Sequence, residues 1–319
     1  MSIITGTQNQ QIQRAASLLK NGGVVAIPTE TVYGLAAAIN HNAAISRIFS
    51  LKNRPTQHPL IVHLADAAQL PHYAVDIPDY VEALITHFWP GPLTLVLKKS
   101  TAIDPSITGG QDSVALRIPN HPIARALLHE LGTPVAAPSA NRYCAISPTR
   151  AEHVLNGFDG QVPVLDGGPC QIGIESTIID ARDPTRLCLL RHGDITQTDL
   201  KRVLSDFKLD WSNPTKPLKP INYPGQMAKH YAPKKPLFLV EKNSLALLLS
   251  QYPADQIYWL DLPQEPKAYA AMLYDALQQA DQSPQACIAL ELPPNTSDYL
   301  AIHDRLSKAG KRLLPTTKN

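Results

Sequence analysis

Lys52 and Arg54 stand two apart in "SLKNRPTQHPLIVHL". Pro55 disfavours helical geometry at Arg54 and pushes it toward extended backbone, so both cations can project to one side. Such a pair suits a polyphosphate, the arginine supplying a planar fork and the lysine a point charge. The competing reading is a helix C-terminus whose positive side chains complement the dipole. Arg117, in "DSVALRIP", shares one face of a predicted strand with Ser113 and Ala115. An arginine in so apolar a run needs an anion, either a substrate or a protein carboxylate such as Glu30, Glu175 or Asp180. Arg191 ends the run "RLCLLR", a place suited to contact with a phosphate or a base.

Hydroxyls and amides gather at similar places. In "VVAIPTETVYGL" an apolar strand start turns polar, and extended spacing puts Thr29 and Thr31 on one side with Glu30 opposite. Ligands of α/β sheets sit outside the strand ends, where hydroxyls orient a small polar substrate without adding charge. The same hydroxyls could instead satisfy a local turn. Ser139 and Asn141 repeat the spacing in "APSANRYCAISPT", and Ser147 follows before Pro148. His63 shares a strand face with Ile61. A lone strand histidine is ordinarily a hydrogen-bonded core residue and gains meaning only where other polar groups converge. Gly167 and Gly168 precede Glu175, Ser176 and Thr177, and permit close backbone approach to a ligand or simply a tight turn. There is no Walker A, GxSxG or HExxH motif and no metal-ligand cluster. The habit of ending strands in hydroxyls, amides and arginines suits a site that binds a nucleotide and a zwitterion by hydrogen bonding and charge.

The elements that must position these residues alternate along the first two hundred. Helices are expected at "QIQRAASLLKNG", "NAAISRIFSLK", "HPIARALLHEL", "AEHVLNGF" and "TDLKRVLSDF", and strands at "VVAIPT", "PLIVHL", "GPLTLVLKK", "SVALRIP", "PVAAPSAN", "VPVLDGG", "ESTIIDA" and "RLCLLR". This predicts an α/β domain over residues 1–208 with a large, twisted, open mixed sheet. Between 209 and 235 the chain carries Pro214, Pro217, Pro220, Pro224 and Pro233 and reads as an extended, semi-rigid linker. Residues 236–319 read as a small Rossmann-like βαβαβα domain without a GxGxxG motif.

The bulk numbers bound the class. The 319 residues are 44% hydrophobic and 18% charged, enough for two soluble globular domains. The net charge of +2 is no strong nucleic-acid footprint. The four cysteines form no CxxC pair, which favours a reducing cytoplasm over a zinc site or disulfide framework. No signal peptide is expected, and no apolar run approaches the length of a membrane span.

Taken in order, "PTETVYGL", "LKNRPTQHPLIVH", "SVALRIP", "APSAN…SPT", "GIESTIID" and "LLRHGD" resemble the motifs of the YrdC/Sua5 family. "PGQMAKHYAP" and "HDRLSKAG" resemble the linker and C-terminal domain of its longer, Sua5-type members. The resemblance implies a threonylcarbamoyl-AMP synthase, a nucleotidyltransferase that makes threonylcarbamoyl-adenylate and pyrophosphate from L-threonine, bicarbonate and ATP. It implies a separate transferase complex that passes the group to tRNA. It also implies a threonine side comprising Thr31, His63, Arg117, Ala137 and Thr177. The implied ATP side comprises Arg54, His58, Ser113, Ser139, Ser147 and Arg191, with Tyr231 reaching back from the linker. Lys52, Arg54, Ser139 and Asn141 match the family's KxR…SxN pattern. The chain departs from the family at Tyr143-Cys144, where a Ser-Gly-like pair is common, and at His192, where proline is usual.

On this reading Arg117 pairs with the threonine carboxylate, while Thr31 and His63 orient its polar groups. Lys52 and Arg54 neutralise charge as pyrophosphate leaves. Arg117→Ala is expected to abolish threonine-dependent turnover with the fold intact. Mg²⁺ is expected to arrive with the ATP phosphates, and the proline-rich linker is the candidate lid, with His230 and Tyr231 at its tip. Two other readings stay open. One is double-stranded RNA binding without catalysis, aided by Lys216, Lys219, Lys229, Lys234 and Lys235, with weak tRNA binding a lesser form of it. The other is carbamoyl transfer from another donor.

Overall fold

The computed structural model describes residues 3–212, 221–241 and 244–313. Pro214, Lys216, Pro217, Lys219 and Pro220 of the expected linker lie outside the described residues. Among the described residues, ten strands form one open mixed sheet. They are β1 (Val25–Ile27), β2 (Gly34–Ala38), β3 (Ile61–His63), β4 (Ala74–Val75), β5 (Leu93–Lys99), β6 (Ser113–Arg117), β7 (Val135–Ala136), β8 (Thr177–Asp180), β9 (Arg186–Arg191) and β10 (Asp210–Ser212). Their spatial order is β1-β2-β7-β3-β6-β5-β8-β9-β10, with β4 paired to β5.

The two-residue period of the strands sorts the core. Val62, Leu95, Leu97 and Leu116 point into the main apolar cluster with Ile45, Ile48 and Leu84 of the covering helices. Ile61, Val96, Ala115, Ile178 and Leu190 point to the other face, where Ile221 and Tyr223 of the linker pack on them. The linker therefore crosses the same sheet face that carries His63 and Arg117.

A second sheet contains β11 (Leu237–Val240), β12 (Ile257–Leu260), β13 (Cys287–Glu291) and β14 (Lys311–Arg312) in the order β12-β13-β11-β14. All its pairings are parallel. Its helices include Pro266–Gln282 and Leu300–Ala309. The expected βαβαβα unit is present and gains a fourth strand. The apolar cluster of this sheet is shared: Leu237, Leu273, Leu277 and Ile302 pack together with Val32, Ile146 and Ile174 from the first two hundred residues.

Several expectations are corrected. "VPVLDGG" is not a strand; Val164 makes single bridges to Ile3 and Ala26. Pro163 has no N–H to extend a ladder, and the Gly167–Gly168 turn follows at once. "GLAAA" is a strand although Gly and Ala are weak strand formers, because it is buried between β1 and β7. A helix at Tyr80–Phe88 also went unread. Strand β10 falls inside the segment expected to be linker, where it pairs in parallel with β9 at the sheet edge.

Candidate active site

The register of β3 and β6 sets His63 directly beside Arg117. Both are buried, and both sit on the sheet face crossed by the linker. After β1 the chain turns at Thr29: its Oγ1 accepts from the N–H groups of Thr31 and Val32 at 3.2 Å and donates to the Val32 carbonyl at 2.6 Å. The local-turn reading thus holds for Thr29. Thr31 lies on the same side, as expected, its hydroxyl 2.8 Å from that of Thr29, and it accepts from Arg117 Nη1 at 3.0 Å. Glu30 is not on the opposite side as extended spacing predicts. The turn swings it to Arg117, with Nη2 and Oε1 2.7 Å apart. Arg117 Nε donates to the Gly91 carbonyl at 3.1 Å. Of the three carboxylates weighed as its partner, Glu30 is the one; Asp180 pairs with Arg182 and Glu175 with Arg305.

The helix Asn42–Lys52 ends at Asn53, which adopts left-handed backbone. This aims Lys52 inward. Its Nζ donates to the carbonyls of Ser139 and Asn141, each at 2.5 Å. Lys52 is therefore beneath the cavity wall in this structure and ties down the loop that follows β7; it does not project beside Arg54 as a surface pair. Burial, reinforced by the Arg54 charge, pushes the Lys52 ammonium well below the usual lysine range. Arg54 donates to the Pro59 carbonyl at 3.0 Å and faces the cavity. Burial lowers its pKa to about 10.

Arg191, at the end of β9, donates to the Ser176 carbonyl and hydroxyl at 3.0 and 3.1 Å, and to the Pro224 carbonyl of the linker at 3.1 Å. Glu175 accepts from Ser147 Oγ at 2.6 Å, Tyr274 at 3.1 Å and Arg305 Nε at 2.9 Å. Burial alone would push its carboxyl up, but the charges of Arg305 and Arg191 and these hydrogen bonds outweigh it and hold the pKa at about 2. His63 and His230 are each pushed down to about 3, chiefly by burial, and His63 also by the Arg117 charge. Both are neutral near pH 7.

These groups surround a cleft enclosing about 550 Å³, its open mouth included. Of the residues expected on the threonine side, Thr31, His63, Arg117 and Ala137 line it. Of those expected on the ATP side, Arg54, Ser139, Arg191 and Tyr231 line it. Ser113, Asn141, Ser147 and Thr177 are buried behind the wall. Thr177 donates to the Ile195 carbonyl at 2.7 Å, and Asn141 donates to the carbonyls of Arg142 and Ala145. His58 lies in an adjoining cleft of about 660 Å³, 3.1 Å from the Tyr143 hydroxyl; Arg54 and His230 line both clefts. Tyr143 is one of the family departures. Its neighbour Cys144 has φ of +65°, the region a glycine there would occupy freely. His192, the other departure, serves through its carbonyl, which accepts from Arg305.

Sequence reading missed Gly225, Tyr274 and Arg305, and named Ser176 without giving it a role. Arg305 had a signal: it stands on the buried stripe of its helix with Ala301, Ile302 and Leu306, where an apolar residue belongs. Gly225 has φ of +85°, and a Cβ there would lie 2.4 Å from the Tyr231 hydroxyl.

Residues 17–193 match the Sua5/YciO/YrdC family model, described as "Telomere recombination". The chain belongs to that family. Residues 195–310 match a second model, described as the C-terminal domain of threonylcarbamoyl-AMP synthase. The chain is 39% identical over 326 residues to the threonylcarbamoyl-AMP synthase of Bacillus subtilis, covering 95% of this chain and 94% of that one. It is 37% identical over 328 residues to the enzyme of the same name from Pyrococcus abyssi, covering 95% of each. A solved structure of P. abyssi Sua5 with histidine and tyrosine replaced by alanine superposes with a TM-score of 0.86 at 34% identity, over 97% of this chain and 96% of that one. P. abyssi Sua5 complexed with L-threonine superposes with a TM-score of 0.85, at the same identity and coverage.

Proposed function

We propose that the protein is a threonylcarbamoyl-AMP synthase, a nucleotidyltransferase joining L-threonine, bicarbonate and ATP. The observation that carries this reading is the charge balance of the cleft. Glu30 and Glu175 are each held by an arginine, yet among the described residues no carboxylate lies within ion-pair distance of Arg54 or Arg191. Two buried guanidiniums on one wall call for an anionic ligand. The opposite side, with Thr31, neutral His63 and Arg117, suits a zwitterion. The full-length relatives carry the synthase name, one of them solved with L-threonine. They support the enzyme over RNA binding without catalysis and over transfer from another carbamoyl donor.

The chemistry needs two steps. The amine of threonine and bicarbonate give a carbamate and water; a carbamate oxygen then attacks the α-phosphorus, and pyrophosphate leaves. Arg117 holds the threonine carboxylate with N–H groups that Gly91, Thr31 and Glu30 leave free. His63, being neutral, accepts a hydrogen bond from the threonine amine or hydroxyl. Arg54, Arg191 and Ser139 bind the phosphates and stabilise the charge that builds on pyrophosphate. Lys52 acts through the Ser139–Asn141 loop, and Ser147 and Thr177 act from behind the wall as supports. His58 and Tyr143 border the adjoining cleft, a place for the nucleoside. Among the described residues Glu175 is the one carboxylate on the cleft wall, and Ser147, Tyr274 and Arg305 already hold it. Mg²⁺ enters with ATP, as part of the MgATP substrate.

Residues 221–232 shield the carbamate from water. No described helix is long and apolar enough to cross a membrane. The reading places the enzyme in the cytoplasm, with its product passed to a tRNA threonylcarbamoyl transferase complex.

Pyrophosphate release from ATP, with L-threonine and bicarbonate omitted in turn, tests the reading. Release that requires both is expected. Release indifferent to both, or none from folded protein, would overturn it.

A further inference from the structure

Arg305 is fully buried, on the helix Leu300–Ala309 of the second sheet. Its helical neighbours on that face are Ala301, Ile302 and Leu306, which bind the helix to its own core. An arginine among them is costly unless its charge is met. It is met chiefly across the junction with the first two hundred residues. Nε donates to Glu175 Oε2 at 2.9 Å, Nη2 reaches the Glu175 carbonyl at 3.4 Å, and Nη1 donates to the His192 carbonyl at 2.9 Å. Asp304, its chain neighbour, lies 2.8 Å from Nη1.

The guanidinium also sits 5.3 Å from the centre of the Tyr231 ring. Tyr231 has φ of +61°, a conformation that a bulky residue keeps only where its surroundings dictate it. Those surroundings are Arg305 and Tyr274, whose ring stacks on Tyr231 at 5.8 Å. Through the Glu175 carboxylate the grip extends to Ser147. Segments near 175, 192 and 231 thus meet at the Arg305 side chain, and Ser147 joins them through Glu175. Lys308, on the same helix, completes the hold on the linker. Its Nζ donates to the Gly225 carbonyl at 2.8 Å, and its own carbonyl accepts from the His230 N–H at 3.1 Å.

We propose that Arg305 is a positioning residue for the reaction: the C-terminal domain inserts it to set Glu175 and Tyr231 on the cleft wall, so the site is complete only when the two domains are docked. The proposal rests on the synthase reading. It explains why a charged side chain occupies a helix stripe that would pack better with leucine, and it gives the second domain a direct part in turnover without any contact of its own to substrate.

The test compares wild type, Arg305→Ala, Arg305→Lys and Leu248→Ala in the full chain. Leu248 is fully buried on the other side of the second sheet, so its truncation destabilises that domain without touching the junction. In the pyrophosphate assay, Arg305→Ala is expected to lose roughly a hundredfold in kcat while KM for L-threonine moves by less than about threefold. Added guanidinium ion restores part of the loss. Amide exchange in residues 222–232 quickens, and β5 and β6 keep their protection. Leu248→Ala retains wild-type kcat below its melting temperature. Wild-type kcat in Arg305→Ala overturns the proposal, as does a loss no greater than that of Leu248→Ala or a loss deaf to guanidinium. Should Arg305→Ala not fold, Arg305→Lys decides: normal melting with reduced kcat supports the role, and unreduced kcat overturns it. A wild type that releases no pyrophosphate refutes the synthase reading itself, and this role with it, before any variant is assayed.

Discussion

Arg117 Nη2 stands 2.7 Å from Glu30 Oε1 beside the cleft, and both side chains are only 4% exposed. The arginine proposed to receive the substrate carboxylate already has a protein carboxylate beside it. Glu30 keeps the guanidinium in place and compensated before substrate arrives, so binding need not neutralise a bare buried cation.

That pairing changes what removal of Arg117 does. Arg117→Ala leaves Glu30 buried and uncompensated, at a cost of about 3–5 kcal/mol. Loss of threonine-dependent turnover will therefore come with a lower unfolding midpoint, where the sequence alone suggested an intact fold. Adding Glu30→Gln removes the orphaned charge. The double variant is expected to regain most of the stability in urea unfolding and none of the turnover. Recovery of both would show that Arg117 serves Glu30 alone.

Lys52→Met should act through the loop it ties. The buried Asn141 carbonyl loses its donor, at about 1–3 kcal/mol, and the half-buried Ser139 carbonyl loses one at a smaller cost. A loop displaced by a fraction of an ångström is expected to cost roughly tenfold to a hundredfold in kcat/KM for ATP. Steady-state kinetics with ATP varied, beside a denaturant titration, checks both. A variant as stable as wild type would show that the two carbonyls have found other donors.

Cys144 occupies left-handed backbone, which costs a residue with a Cβ about 1–2 kcal/mol. Cys144→Gly is expected to raise stability by up to about 1 kcal/mol after the entropy glycine loses on folding. Lower stability in urea unfolding would mean that the thiol makes a contact worth more than the strain.

Acid should weaken the protein in two stages. His63 and His230 have folded pKa values near 3, below the usual 6.5, so each contributes its full share of stability above pH 6.5. That share is lost as pH falls toward 3, because only the unfolded chain takes up the proton, at about 1.4 kcal/mol per pH unit for each histidine. Glu175 moves from 4.5 to about 2, so its share is intact above 4.5 and fades below it. Unfolding free energy measured from pH 7 to 3.5 should thus fall from 6.5 and steepen below 4.5. His230→Gln should remove one histidine's part of the upper slope and leave the lower break. An unchanged upper slope would show that His230 is protonated in the folded state.

Much of the framework was legible because strand and helix periods are local. The alternation in "PLIVHL" grouped His63 with Ile61 and that in "SVALRIP" grouped Arg117 with Ser113 and Ala115; the parallel register of the two strands is what brings His63 beside Arg117. What escaped depends on partners far along the chain. "GLAAA" becomes a strand through β1 and β7, not through its own propensities. Extended spacing failed at Glu30 because the Thr29 hydroxyl turns the backbone there. Lys52 was read as projecting with Arg54, yet the left-handed Asn53 between them sends the two side chains to different partners. Arg305 was visible only as an oddity in a helix stripe, since its partner stands 130 residues away.

Val32, which lines the cleft, shares an apolar cluster with Ile146, Ile174 and the helix Pro266–Gln282. A chain cut after residue 208 would present three large aliphatic side chains to water close to its own site. Such a fragment would tend to self-associate through that face, whatever its residual activity. Replacing these aliphatics with polar side chains would make such a fragment soluble on that face. In this chain the second domain thus doubles as a cover that keeps the first from adhering to its own copies.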